Sequence, residues 1–153
     1  MTVLASLETG LAVLARPILT SPVVRFVALA GICSAYIQGP LTKIFDFAGA
    51  IGEMNHFGLT PAPLFAVGVI VFELAMSALI VTGFFRWVAA IALAGFTLMA
   101  TLLAFRFWEL APGMERSMAM TGFFEHLGLI GAFLMVAWYD LQEHAAPGKG
   151  RAL

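Results

Sequence analysis

Four long stretches of this chain are almost continuously hydrophobic, roughly Val23 to Ile44, Ala62 to Phe85, Trp87 to Trp108 and Met120 to Tyr139. Each is close to the ~20 residues a helix needs to cross the hydrocarbon of a bilayer. Lipid offers no partner to a free backbone amide, so such a stretch must satisfy its own hydrogen bonds as a helix. The pattern predicts an all-α membrane fold, a bundle of four transmembrane helices. Trp87, Trp108, Trp138 and Tyr139 fall at predicted span ends, where amphipathic rings favour the headgroup layer. The connection from Gly83 to Trp87 is very short, which makes spans two and three an antiparallel hairpin.

Two flanking segments alternate instead of running apolar. Leu4, Leu7, Leu11, Leu14 and Ile18 share one helical face, with Pro17 and Pro22 as interruptions before the first span; this predicts a short amphipathic helix lying on the membrane surface. In the first long connection, Phe47, Ile51, Met54 and Gly58 recur with polar residues between them, predicting a second interfacial helix that lids that face. The expected organisation is an interfacial segment over 1–22, the bundle over 23–139 and a polar tail over 140–153. Small residues four apart, Gly31 with Ala35, Ala90 with Ala94 and Gly128 with Ala132, let helix backbones approach closely.

Composition agrees with lipid as the main solvent: 61% of the 153 residues are hydrophobic, 11% are charged and the mean hydropathy is +0.98, against about 25% charge in soluble domains. Eight Lys and Arg with a net charge of −1 give no basic stripe for a nucleic-acid backbone. The single cysteine, Cys33, excludes an intrachain disulfide and a CxxC pair. Glu8 is the one charge before Arg16, unlike the basic opening of a cleavable signal peptide. Counting basic residues by side puts Arg16, Arg25, Arg86, Lys149 and Arg151 with the termini and Lys43, Arg106 and Arg116 opposite. That bias predicts cytoplasmic termini in a cell (inner) membrane.

Chemistry concentrates at one depth. Glu73 lies near the middle of the second span, where a charge costs about 2.5 to 3.5 kcal/mol on insertion scales, so it should face the bundle interior. Without a cation nearby it would be protonated and donate a hydrogen bond. One reading makes it a neutral tie between helices; the other makes it a proton carrier or ligand-binding carboxyl, and on that reading Glu73 is the candidate catalytic residue. At ~1.5 Å per residue, Glu73 is some ~16 Å deep from the loop side, Tyr36 and Gln38 about 12 and 9 Å, and Glu125 and His126 about 8 Å. Thr101 lies at a similar depth, with Arg106 and Trp108 above it. Tyr36, Gln38, Arg106, Trp108, Glu125 and His126 are therefore the candidate ligand-binding residues. His126 is a proton relay or a hydrogen-bonded interface residue; Arg106 is a counterion for Glu109 or Glu125, or an anchor for an anionic or carbonyl-bearing ligand. Glu125 and His126 point about 100° apart on a helix, so one of them faces the bundle. Pro40 either kinks the first span, freeing the Tyr36 carbonyl, or begins the connection after Gly39.

Metal readings are weaker. Glu53 and His56 form one E-x-x-H step, whereas di-iron bundles need a second such pair with further carboxylates. Met114, Met118 and Met120 are soft ligands for Cu(I), and membrane-inserted contacts explain them equally well. There is no GxGxxG, no GxxxxGK[ST] and no CxxCH, and neither metal nor haem is expected.

The order of these features resembles the DoxX family of small four-span membrane proteins, related to the membrane subunit of thiosulfate:quinone oxidoreductase. The resemblance rests on Arg25, on LTKIF with Lys43, on Glu73 within FELAMSALIVTGFFRW, on Phe107 and Trp108, and on FFEHLGLIGAFLM. The family often carries a His where Phe105 stands and a Lys-Asn pair at Glu125 and His126, so roles tied to those positions do not transfer. What it implies is a membrane subunit linked in some members to quinone-dependent oxidation of sulfur compounds, with accessory roles in others. Three functions follow as expectations: an accessory or anchoring subunit of a larger respiratory or redox complex; a quinone-binding oxidoreductase subunit, with Tyr36, Gln38, Glu73, Arg106 and Trp108 around the ring; or a small solute or ion carrier acting as a homo-oligomer. Electrons for a quinone would come from a partner or a bound substrate.

Overall fold

The computed structural model describes residues 3–145 as six α-helices and one 3-10 turn: α1 (Val3–Leu19), α2 (Pro22–Phe45), α3 (Phe47–His56), α4 (Ala62–Thr82), α5 (Arg86–Ala104), the turn Phe107–Glu109, and α6 (Met114–Ala145). Among the described residues there is no strand. Four helices, α2, α4, α5 with its following turn, and α6, are long and apolar enough to cross a membrane, and the chain is an integral membrane protein of the all-α class. Lys149 and Arg151, used above for orientation, and tail residues 146–153 lie outside the described residues.

Helix ends follow local chemistry. Ser21 caps α2 by accepting from the Val24 amide at 3.3 Å, and Pro22 takes the first helical position, where a missing N–H costs nothing. Asp46 ends one helix and starts the next: its amide donates to the Thr42 carbonyl, and its side chain accepts from the Gly49 amide at 2.9 Å. Pro17 sits inside α1, which runs on to Leu19, since one lost hydrogen bond in a last turn does not end a helix. α2 likewise passes through Pro40 to Phe45, resolving the two readings of that proline in favour of an intrahelical one.

The α4–α5 hairpin turns on Gly83, whose φ of +87° is left-handed, and the Arg86 Nε–H donates to the Ile80 carbonyl at 2.8 Å. A β-carbon at position 83 would stand 2.7 Å from Arg86 Nη2. Gly83→Ala is expected to cost roughly 1 to 2 kcal/mol from the left-handed backbone alone, read as a lower unfolding midpoint in detergent.

Two span boundaries differ from hydropathy. The fourth helix begins at Met114 rather than Met120, because Glu115, Arg116 and Ser117 are compatible with a helix that projects beyond the hydrocarbon; the Ser117 amide and hydroxyl both donate to the Gly113 carbonyl. It also continues past Tyr139 to Ala145. The third helix stops at Ala104, before the 3-10 turn that carries Trp108.

The spans pack closely in the pairs α2 with α4, α4 with α5, and α5 with α6, whereas α2 and α6 touch only lightly. Each helix buries one stripe. On α2 it is Leu29, Cys33, Tyr36 and Pro40; on α5, the small set Ala89, Ala90, Leu93, Ala94, Thr97 and Thr101. Small residues there let backbones approach, the main source of helix association in lipid. Apolar packing forms two bodies. The larger, centred on Cys33, Ile80, Leu93 and Phe133, fills the half nearer the α4–α5 turn, here called the hairpin end. The smaller, Ala50 and Met54 of α3 against Ala62 and Ala66 of α4, lies at the opposite or α3 end. Most of the apolar stripe of α1, including Leu4, Leu11 and Leu14, is exposed.

Candidate functional site

Between those two packed bodies lies a layer of polar side chains. Glu73 shares the α4 face of Ala62, Ala66, Ser77 and Ile80, all buried, because these positions recur at helical spacing. Its carboxyl reaches α2: Oε2 lies 3.8 Å from where a β-carbon on Gly39 would stand. Lys43 of α2, Glu53 of α3 and the Tyr36 hydroxyl lie within electrostatic range of it. It is half-buried, and it faces the bundle.

Tyr36 is buried and spans the centre. Its hydroxyl forms a short hydrogen bond with Thr97 Oγ1 of α5, and its ring meets the edge of Phe133 of α6 at 5.4 Å. Proton counting orders the rest. Thr97 Oγ1 donates to the Leu93 carbonyl at 2.6 Å, so Tyr36 is the donor to Thr97. Thr101 Oγ1 donates to the Thr97 carbonyl at 2.6 Å and lies 2.8 Å from His126 Nδ1. A hydroxyl has one proton, so His126 donates from Nδ1 and its Nε2 carries the free lone pair. Phe105 fixes the ring from the side, edge-on at 4.8 Å, and itself packs against Gly122, where a β-carbon would come within 2.7 Å of the Phe105 ring. Nearer the hairpin end, the Ser77 hydroxyl is buried without a hydrogen bond of ordinary geometry and sits beside the Cys33 thiol.

The other candidates point elsewhere. Gln38 is exposed and bonds Thr42 on its own helix at 2.9 Å. Arg106 is exposed and pairs with Glu109 at 3.3 Å. Trp108 is about half exposed, its ring 5.2 Å from Phe107 and 5.9 Å from Phe123. Glu125 is exposed and lines a shallow recess with Met120, Thr121 and Phe124, while His126 turns inward. Helical rise fixes depth, but packing decides the direction in which each side chain points. The structure therefore gathers Glu73 and Tyr36 on one side of the layer and His126 on the other, and leaves Gln38, Arg106, Trp108 and Glu125 on its outer surfaces. Met114 and Met118 are exposed at the start of α6.

Sequence reasoning did not single out four residues as contributors. Thr97 lies one turn from Thr101 on the buried stripe of α5, and that spacing could have revealed it. Lys43 and Glu53 form an ion pair at 2.9 Å beside Glu73, which no local pattern announces. At the hairpin end, Asp140 is 3% exposed; it accepts from the Trp87 amide at 3.2 Å and meets Arg86 at 3.4 Å. Arg25 adds a bidentate pair with Glu143 at 2.8 and 3.0 Å. The hairpin end thus holds a charge cluster, buried at Asp140 and exposed at Arg25 and Glu143. His126, Phe133 and Asp140 recur every seven residues, the spacing of one buried stripe, and Asp140 was legible on that basis.

Four membrane-spanning helices, an interhelical polar layer and no separate folded domain among the described residues define a small polytopic membrane protein. The chain belongs to the DoxX family, whose sequence profile matches residues 24–106. It is also similar to the inner membrane protein YphA of Escherichia coli, with 27% identity over 116 residues covering 76% of this chain and 82% of that protein. No solved structure matches.

Proposed function

We propose that this protein is an accessory subunit of a larger redox assembly in the inner membrane, and that its polar layer binds the head of a lipid-soluble quinone. One observation carries the reading: Glu73, deep in α4, turns its carboxyl to Gly39 and into reach of Tyr36 and Lys43. A quinone ring needs an apolar slot, an aromatic face and one or two donors for its carbonyl oxygens. Lys43, and Glu73 when protonated, supply donors; His126 Nε2 supplies an acceptor for a quinol hydroxyl; the half-buried Phe105 ring beside His126 supplies aromatic surface. Electrons come from a partner subunit. The sequence count of five basic residues on the side of the termini, Arg16, Arg25 and Arg86 among them, against three opposite supports a cytoplasmic hairpin end, and the name of the Escherichia coli relative supports the inner membrane.

The test is binding of decylubiquinone to the purified protein in mild detergent. Glu73→Leu removes a charge-capable hydrogen bond and is expected to weaken binding about ten-fold or more. Glu73→Gln keeps a donor and should bind more tightly than the leucine variant. Equal binding by wild type and both variants, or none by wild type, would overturn the quinone site. The purely anchoring role would then remain, favoured by the internally satisfied bond between Tyr36 and Thr97, which ties helices without needing a ligand.

A further inference from the structure

Three charges of alternating sign lead from the surface at the α3 end into the polar layer. Glu53 is outermost, its side chain 43% exposed; Lys43 comes next at 19%, with its Nζ 2.9 Å from Glu53 Oε2; Glu73 is innermost and feels both. The backbone explains the alignment. Lys43 is one turn beyond Gly39 on α2, and helical side chains lean toward the N-terminus. Its stem therefore leans back toward Gly39, the residue against which the Glu73 carboxyl rests. α3 is held in register by the Asp46 cap and by Ala50 and Met54 packed on α4. Toward the hairpin end the interior is filled by buried Cys33, Leu93 and Phe133.

We propose that Glu53 and Lys43 form a proton relay connecting Glu73 to water at the α3 end. Lys43 Nζ rests on Glu53, so in the inward direction its flexible four-carbon stem swings the ammonium to the Glu73 carboxylate, where it releases a proton and leaves a neutral amine and a carboxylic acid. Glu53, protonated from water, then returns a proton to the amine. One proton has moved from water to Glu73 and Lys43 regains its charge, so the step balances without a redox partner. The titratable groups facing Glu73 are Tyr36 and Lys43 from α2 and Glu53 from α3; α5 presents Thr97, which does not titrate in water. The relay stands apart from the quinone reading, because it asks only that Glu73 exchange protons.

Time-resolved infrared spectroscopy after a light-triggered proton release tests it on the full-length protein in lipid nanodiscs, with Glu73→Gln assigning the Glu73 carbonyl band. Lys43→Arg is the informative variant: it preserves the ion pair and the positive charge, but arginine does not give up its proton. Lys43→Arg and Glu53→Gln are each expected to slow the rise of the band about ten-fold or more, while Glu115→Gln, exposed on the first turn of α6, leaves it unchanged. Glu53 is partly exposed, so its variant tests the relay even if the arginine variant proves unstable. A band rising as fast in both relay variants as in wild type, or no Glu73 band change after proton release, would overturn the proposal.

Discussion

Asp140→Ala is expected to destabilise the protein by about 3 to 5 kcal/mol, the cost of orphaning a buried charge. The substitution strands Arg86, whose side chain is 13% exposed, and leaves the Trp87 amide at the start of α5 without its acceptor. Asp140 also opposes the positive end of the α5 dipole, which adds a few tenths to about 1 kcal/mol. Asp140→Asn keeps an acceptor for the amide and loses only the charge, so it should fall between wild type and alanine. Combining Asp140→Ala with Arg86→Ala should recover part of the loss, because the stranded cation goes with it. Equilibrium unfolding in mixed micelles gives all the values. A deficit below about 1 kcal/mol for the alanine variant would put this pair with weak surface bridges and remove its role as the lock between the hairpin and α6.

Phe133→Ala should follow with a loss of about 2 to 3 kcal/mol, by a different route. Phe133 is fully buried, and in water its truncation would cost about 3 to 5 kcal/mol. Within lipid the transfer contribution is largely absent, since the unfolded helix also sits in hydrocarbon. What remains is the cavity, and roughly 100 Å³ at about 24 cal/mol per Å³ gives the lower figure. Phe133→Leu should cost about 1 kcal/mol. Because the Phe133 ring braces Tyr36 edge-on, the alanine variant should also loosen the Tyr36–Thr97 bond, visible as a changed tyrosine hydroxyl band in the infrared. A stability loss with an unchanged Tyr36 band would show that α2 and α5 hold that tyrosine alone.

The two variants report on opposite kinds of cohesion. At the hairpin end, charges meet where the bilayer gives way to water: α6 is joined to α5 by an ion pair and a helix-terminus contact and to α2 by a second ion pair. In the middle, where ions are costly, the bundle is held by interlocked shapes and by hydroxyls that satisfy one another. Toward the α3 end packing thins, and there Glu73, Lys43 and His126 stand with part of their hydrogen-bonding capacity unspent. An evolved membrane bundle that needed only to stay folded would have little reason to keep an acid at that depth.

Glu73 and Gln38 show how much a linear pattern can tell. Helical rise counts both into the same half of the bundle. One turns inward and the other lies on the outside, because the buried stripe of α2 runs through Tyr36 and Pro40, about 200° from Gln38 for the former. Adjacent Glu125 and His126 could not both face the bundle, and the sequence left open which did. Thr101, on the small-residue stripe of α5, decided it by offering His126 a partner. Arg106 pairs with Glu109 in its own turn, the local option, as chain connectivity favours.

Hydrocarbon imposes a length and a helical backbone on anything that crosses it, so the four spans and their hairpin were legible in the sequence alone. Rotation about each helix axis is set by contacts between helices distant in the chain. Only the tertiary structure could therefore choose Thr97, Lys43 and Asp140 as partners for Tyr36, Glu73 and Arg86. The same holds for the ends of α5 and α6, where a local hydrogen bond rather than hydropathy decides whether the helix stops or continues past the lipid.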